Sequence, residues 1–127
     1  MPSKAKSSRS KTKAPKRRIN SRRKGCHGEL EFAHYLSGRG LSARRGQQFS
    51  GGTESPDVVC EGLPSVHWEV KRVEAGNLYS WLGQAQRDAG AGKTPVVAHR
   101  KNGKDWVAIV PMEIMVELLI QKQWSVT

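Results

Sequence analysis

The chain has 127 residues and a mass of 14.1 kDa, which suits one small domain and excludes a multidomain enzyme. Its net charge of +11 is unevenly spread: residues 1–24 carry 11 of the 22 Lys and Arg and no Asp or Glu, so residues 25–127 set the other 11 cations against all 11 acids. No apolar run approaches the roughly 20 residues of a membrane span, no apolar stretch follows the basic N-terminus as a secretory signal requires, and Cys26 and Cys60 are too few for a disulfide scaffold.

Residues 1–24 are mostly Ser, Lys, Arg and Pro, with almost no apolar side chain except Ile19. Such a segment buries too little surface to offset its ordering entropy, so a disordered basic tail is expected. Eleven cations without an acid suit phosphate contacts, which makes nucleic acid the expected partner. A domain is expected over residues 25–127. Glu29 to Ser37 reads as a helix from the spacing of Leu30, Ala33 and Leu36, or of Phe32 and Leu36, ended by Gly38 and Gly40. Leu41 to Phe49 reads as a strand, Ser50-Gly51-Gly52-Thr53 as a loop, Asp57 to Cys60 as a short strand and Glu61 to Pro64 as a turn. Val66, Trp68 and Val70 alternate with His67, Glu69 and Lys71, the pattern of a half-buried strand. Leu78, Trp81, Leu82 and Ala85 mark an amphipathic helix. Two more strands, Pro95 to His99 and Trp106 to Val110, flank the turn Lys101 to Lys104, and Glu113 to Gln121 closes the chain as a helix after Pro111. The expected fold class is α/β: a mixed central sheet flanked by helices, in the order αβββαββα.

One constellation carries chemistry. Asp57 follows Pro56 and a Gly-rich loop and opens one strand. Glu69 and Lys71 share a face of the next, because side chains alternate across a strand. A tight turn joins the two strands, so the carboxylates of Asp57 and Glu69 can lie side by side. Adjacent carboxylates repel unless a cation lies between them, and hard oxygen ligands favour Mg²⁺, with Mn²⁺ as a substitute. Such an ion activates water and stabilises charge on a phosphoryl oxygen, and Lys71 can assist the attacking water. Taken singly, Asp57 reads as a turn residue and Glu69 and Lys71 as a solvated strand face. Cys26, His27, Cys60 and His67 match no zinc spacing, and Cys60 reads as a small buried strand residue. Trp68, Trp81 and Trp106 read as core or interface residues.

Pro56-Asp57 followed by Glu69-Val70-Lys71 resembles the PD-(D/E)xK nuclease superfamily. The likeness extends to Holliday junction resolvases of the archaeal type and their phage relatives. Lys24-Gly25-Cys26-His27-Gly28-Glu29 matches their first-helix motif, Gly40-Leu41 the strand start, Arg45 the basic residue near its end, and Ser50-Gly51-Gly52 the loop before the Asp. Leu30 stands where those resolvases commonly have Arg. The resemblance covers residues 24 to about 110 and implies a restriction-endonuclease-like fold. It implies Glu29, Asp57, Glu69 and Lys71 as metal and catalytic residues, with Glu29 completing the site or holding a second ion. Glu31 lies about 200° around the helix from Glu29, so the two cannot both serve. Trp81-Leu82-Gly83-Gln84-Ala85 is similar to a superfamily segment whose Gln sits near the active site, so Gln84 is a candidate to hold a phosphate or a metal-bound water. Arg44, Arg45 and Ser50, with Arg22, Arg23 and Lys24 of the tail, are candidate DNA contacts.

The expectation is therefore a Mg²⁺-dependent DNA endonuclease acting on four-way or other branched DNA in recombination and repair. A resolvase of this size must pair, so a homodimer is expected, with its interface on the last strand and helix. The expected setting is cytoplasmic, in a bacterial, archaeal or phage-infected cell, and the brevity and tail suit a phage protein. Two alternatives remain open: a superfamily nuclease acting on duplex, flap or single-stranded DNA, and a non-catalytic basic nucleic-acid-binding protein. A pure phosphate binder, however, has no use for Asp57 beside Glu69.

Overall fold

The computed structural model describes the backbone of residues 14–46 and 56–126, and the side chains of residues 25–46 and 56–123. Helix α1 spans Ala14–Gly38, followed by strands β1 (Ala43–Arg45), β2 (Val58–Cys60) and β3 (Val66–Arg72). Helix α2 (Leu78–Ala89), strands β4 (Thr94–Arg100) and β5 (Val107–Ile109) and helix α3 (Met112–Val126) complete the chain. The order is the αβββαββα of an α/β fold, as expected.

The closing helix runs Met112–Val126, beyond the expected Glu113 to Gln121, and two boundaries near the N-terminus differ from the sequence reading. Helix α1 begins at Ala14, so residues 14–24, expected to be disordered, are helical backbone continuous with the packed segment. Lys and Arg are good helix formers and Pro15 is tolerated in a first turn, so a helix nucleated by packing further along can propagate back through a segment with little to bury. Of the strand expected over Leu41–Phe49, residues 43–45 are paired, Leu41 and Ser42 precede the ladder, and residues 47–49 lie outside the described residues. Residues 1–13 and 47–55, which include Ser50 and the Gly-rich loop, lie outside the described residues.

The five strands form one sheet in the order β1-β2-β3-β4-β5. Neighbours are antiparallel except β3 and β4, which run parallel with α2 as the crossover between them. Asn77 caps α2, its side chain accepting a hydrogen bond from the Ser80 N–H at 3.0 Å. Helix α1 ends where Gly40 adopts φ +91°, a left-handed conformation open to glycine, and Leu41 N–H returns to the Leu36 carbonyl.

The strand alternation sorts the side chains into two layers. Val58, Cys60, Val70 and Ala98 pack under Phe32, Ala33 and Leu36 of α1, with Trp68 and Trp106 against them. Phe32 meets the rings of Trp68 and Trp106 at centroid distances of 5.1 and 4.9 Å. These two tryptophans and the buried Cys60 thus sit in the apolar layer, and Cys26 and Cys60 are both free thiols. His67, Glu69 and Lys71 point the other way, toward α2, whose Ala85 is wholly buried. None of the helices among the described residues is long and apolar enough to cross a membrane.

Candidate active site

The β2–β3 register sets the centre of the site. Val58 pairs with Trp68 in an antiparallel ladder, so Asp57 stands directly across from Glu69. Directly opposed side chains lie about 5 Å apart at Cβ. The Asp57 N–H donates to the Trp68 carbonyl at 2.9 Å, and the Asp57 carboxylate accepts the Val70 N–H at 2.8 Å. That second bond turns the side chain toward β3 and fixes it there. Behind Asp57, the Gly46 N–H donates to the Asp57 carbonyl at 2.8 Å, and a Cβ on Gly46 would stand 2.1 Å from the Pro56 carbonyl oxygen. Only glycine permits that approach of β1 to the strand bearing Asp57.

Asp57 and Glu69 are both buried, at 9% and 4% exposure. Burial, reinforced by the charge of Asp57, pushes the Glu69 carboxyl up to about 7; Lys71 opposes that shift, and Asp88 and Glu29 add to it. Glu29, from α1, is raised by burial; a hydrogen bond from Arg45 works against this and the Asp57 charge adds to it. Glu29, Asp57 and Glu69 thus form one electrostatic group, although they come from α1, the residue just before β2, and β3. Lys71 Nζ reaches Gln84 Oε1 on α2 at 3.5 Å, a long contact that puts Gln84 beside the Lys71 head group.

The structure pairs two residues that were expected to have separate tasks. Arg45 Nε donates to Glu29 Oε1 at 2.7 Å, and its Nη2 to Cys26 Sγ at 3.1 Å. Arg45 is therefore first a partner of the helix carboxylate. Arg44, its neighbour on β1, is exposed. Glu31 is engaged elsewhere, bridging Arg72 Nε at 2.8 Å and Arg100 Nη1. The side chains of Arg22, Arg23 and Lys24 lie outside the described residues, as does Ser50.

Two residues that were not expected at the site join the group. His67 is 1% exposed and its Nε2 lies 3.4 Å from Glu69 Oε1. Asp88, in the last turn of α2, approaches both. Among the described residues, His67, Glu69 and Asp88 are the three whose ligand atoms all fall within 4.8 Å of one another; Glu29, Asp57 and Glu69 are not such a set. Alternation on β3 puts His67 beside Glu69 and could have drawn attention to it. Asp88 comes from another element, and no local spacing signals it. No family model matches this chain, no curated protein matches it, and no solved structure matches it.

Proposed function

We propose that this chain is a metal-dependent endonuclease that hydrolyses DNA phosphodiesters, with four-way or other branched DNA as its substrate. The observation that carries the reading is the pairing of β2 with β3, which buries Asp57 opposite Glu69 with Lys71 two residues along the same face. Two buried carboxylates that face each other across a strand pair favour a cation between them. The donors are all oxygen, which suits Mg²⁺ or Mn²⁺ held by Asp57 and Glu69, with Glu29 alongside. The chemistry such an ion supplies is a water of lowered pKa and charge stabilisation on the phosphoryl oxygen.

The chain's own residues do the rest. The Val70 N–H holds the Asp57 carboxylate in one orientation, and burial of Asp57 and Glu69 keeps bulk water from screening the site. The Lys71 ammonium, steadied by Gln84, orients the attacking water and offsets the negative charge that develops on the phosphate. Arg45 supports Glu29, exposed Arg44 offers a phosphate contact, and the basic residues before Gly25 add affinity for the DNA backbone.

Cleavage of labelled four-way junction, flap and linear duplex DNA by the full chain tests this reading. Cutting should require Mg²⁺ or Mn²⁺ and favour the junction, and Ca²⁺ should allow binding without turnover. Asp57→Asn or Glu69→Gln should abolish cutting and preserve binding, since losing a carboxylate reduces repulsion of phosphate. Cleavage by Asp57→Asn in EDTA would overturn the mechanism. Equal cutting of junction and linear duplex would remove the branched substrate, and binding with no cutting of any DNA would leave a nucleic-acid binder.

A further inference from the structure

The layer between β3 and α2 holds a cluster of which the nuclease reading uses Glu69 alone. His67 and Glu69 are 1% and 4% exposed, and half-buried Asp88 meets them from the last turn of α2. One nitrogen and two carboxylate oxygens lie within 4.8 Å of one another. The cluster is not merely an acidic patch, because its most deeply buried member is an imidazole.

Two features are hard to explain as hydrogen bonding alone. The His67 Nε2 to Glu69 Oε1 distance of 3.4 Å exceeds the roughly 2.7–3.2 Å of a good N–H···O bond. It matches the edge between two ligands of a tetrahedral ion with bonds of about 2.1 Å, which is about 3.4 Å. Asp88, for its part, places an anion at the end of α2, where the helix dipole disfavours negative charge, and directs it at a second buried carboxylate rather than at a cation. Lys71 and Lys93 do act at a distance, on Glu69 and His67 respectively, but neither stands among the three donors.

From this geometry we propose that His67, Glu69 and Asp88 form a binding site for a divalent transition-metal ion of the Zn²⁺ type, which ties the end of α2 to β3. The donor set decides the class. Mg²⁺ and Ca²⁺ prefer all-oxygen shells, and without a thiolate there is no pull toward Cu(I). An imidazole with two carboxylates suits Zn²⁺, and three protein ligands leave a fourth position for water. A carboxylate has two oxygens, so Glu69 can serve this ion with Oε1 and still face Asp57. The site stands on this geometry and does not depend on the nuclease reading.

Co²⁺ is the probe, since it substitutes for Zn²⁺ and absorbs strongly in the visible when bound tetrahedrally. The full chain, stripped with EDTA, should bind one equivalent with intense visible bands that Zn²⁺ bleaches. Asp88→Asn and His67→Gln should weaken binding by more than about tenfold, the least that even an outer-shell loss costs, while Asp57→Asn leaves the bands in place. Asp88→Asn replaces a half-buried side chain with an isostere, so it decides the matter if His67→Gln fails to fold by circular dichroism. The proposal is overturned if the wild type shows no saturable band, if Asp88→Asn binds like the wild type, or if Asp57→Asn alone abolishes the band. A Co²⁺ band in a protein that cuts no DNA would leave this site standing and remove the nuclease reading.

Discussion

Glu69 is the residue on which most of the site converges, and its ionisation gives a stability test independent of activity. Its folded carboxyl is raised from 4.5 to about 7, chiefly by burial and then by Asp57. Between those values the folded chain holds a proton that the unfolded chain has lost, so stability falls as pH rises through 4.5 to 7 and stays lower above. A shift of that size is worth at most about 3 kcal/mol. Glu29, also raised, acts in the same direction. His67 acts oppositely: its pKa is lowered by burial, so its share of stability grows as pH rises toward 6.5. Comparison with Glu69→Gln isolates the first effect. Urea unfolding at pH 5 and pH 8 should show the variant gaining on the wild type by about 1–3 kcal/mol at the higher pH; an equal difference at both pH values would contradict a buried, ionising Glu69. At this scale the sequence was informative where the candidate site follows strand alternation, as for Glu69 and Lys71 on one face. It was silent where the site follows contacts between elements. Arg45 lies 16 residues from Glu29, and Asp88 meets His67 only because α2 folds back over β3.

Among the elements, the strands were the most legible, because a buried face imposes a period of two that Val66, Trp68 and Val70 display openly. Helix α1 was legible only over the part that packs. Its charged first half carries no apolar stripe, so nothing in the pattern separates a helix there from a solvated tail. The packing of α1 on β3 has its own test at Gly28. A Cβ at this position would lie 2.5 Å from Cβ of Arg72, which cannot be relieved by a side-chain rotation. In a helix open to solvent, Gly→Ala stabilises by about 1 kcal/mol. Here Gly28→Ala should instead destabilise by about 1–3 kcal/mol, the usual cost of overpacking, as measured by urea unfolding. A stabilised variant would mean that α1 does not approach β3 this closely. The basic half of α1 can be tested by removing residues 1–24, with their 11 cations. If about five of these touch phosphates, the slope of log affinity against log salt should fall by roughly four units. Turnover at saturating DNA should change little, since Glu29, Asp57, Glu69 and Lys71 all remain. An unchanged slope would show that this segment does not contact DNA.

For the whole molecule, the open question is what covers α3. Its residues Met112, Val116, Leu118, Leu119 and Ile120 are 45–75% exposed, and Val107 on the neighbouring edge strand β5 is 54% exposed. Ile114 and Met115 are partly buried, so the helix turns one apolar stripe inward and a second one outward. A helix apolar on both sides is the mark of an element buried in a larger assembly. Under the proposed function the partner is a second copy of the chain. Symmetric nicks in a four-way junction require two active sites related by a two-fold axis, and this domain supplies one Asp57–Glu69–Lys71 group. A two-fold interface uses one patch twice, and a stable dimer needs roughly 800 Å² from each partner. The exposed apolar residues of α3 and Val107 of β5 can contribute to such an area. Leu118 separates interface from core: at 50% exposure it is not needed by the monomer's own packing. Leu118→Glu should therefore leave urea stability of the separated chain within about 0.5 kcal/mol and convert a dimer to a monomer by sedimentation at micromolar concentration. Met115→Glu, at a partly buried position, should cost stability as well. Junction cleavage should fall with loss of the dimer and recover as protein concentration is raised. A wild-type chain that sediments cleanly as a 14.1 kDa monomer and still cuts DNA would remove the paired resolvase and leave a nuclease that works one strand at a time.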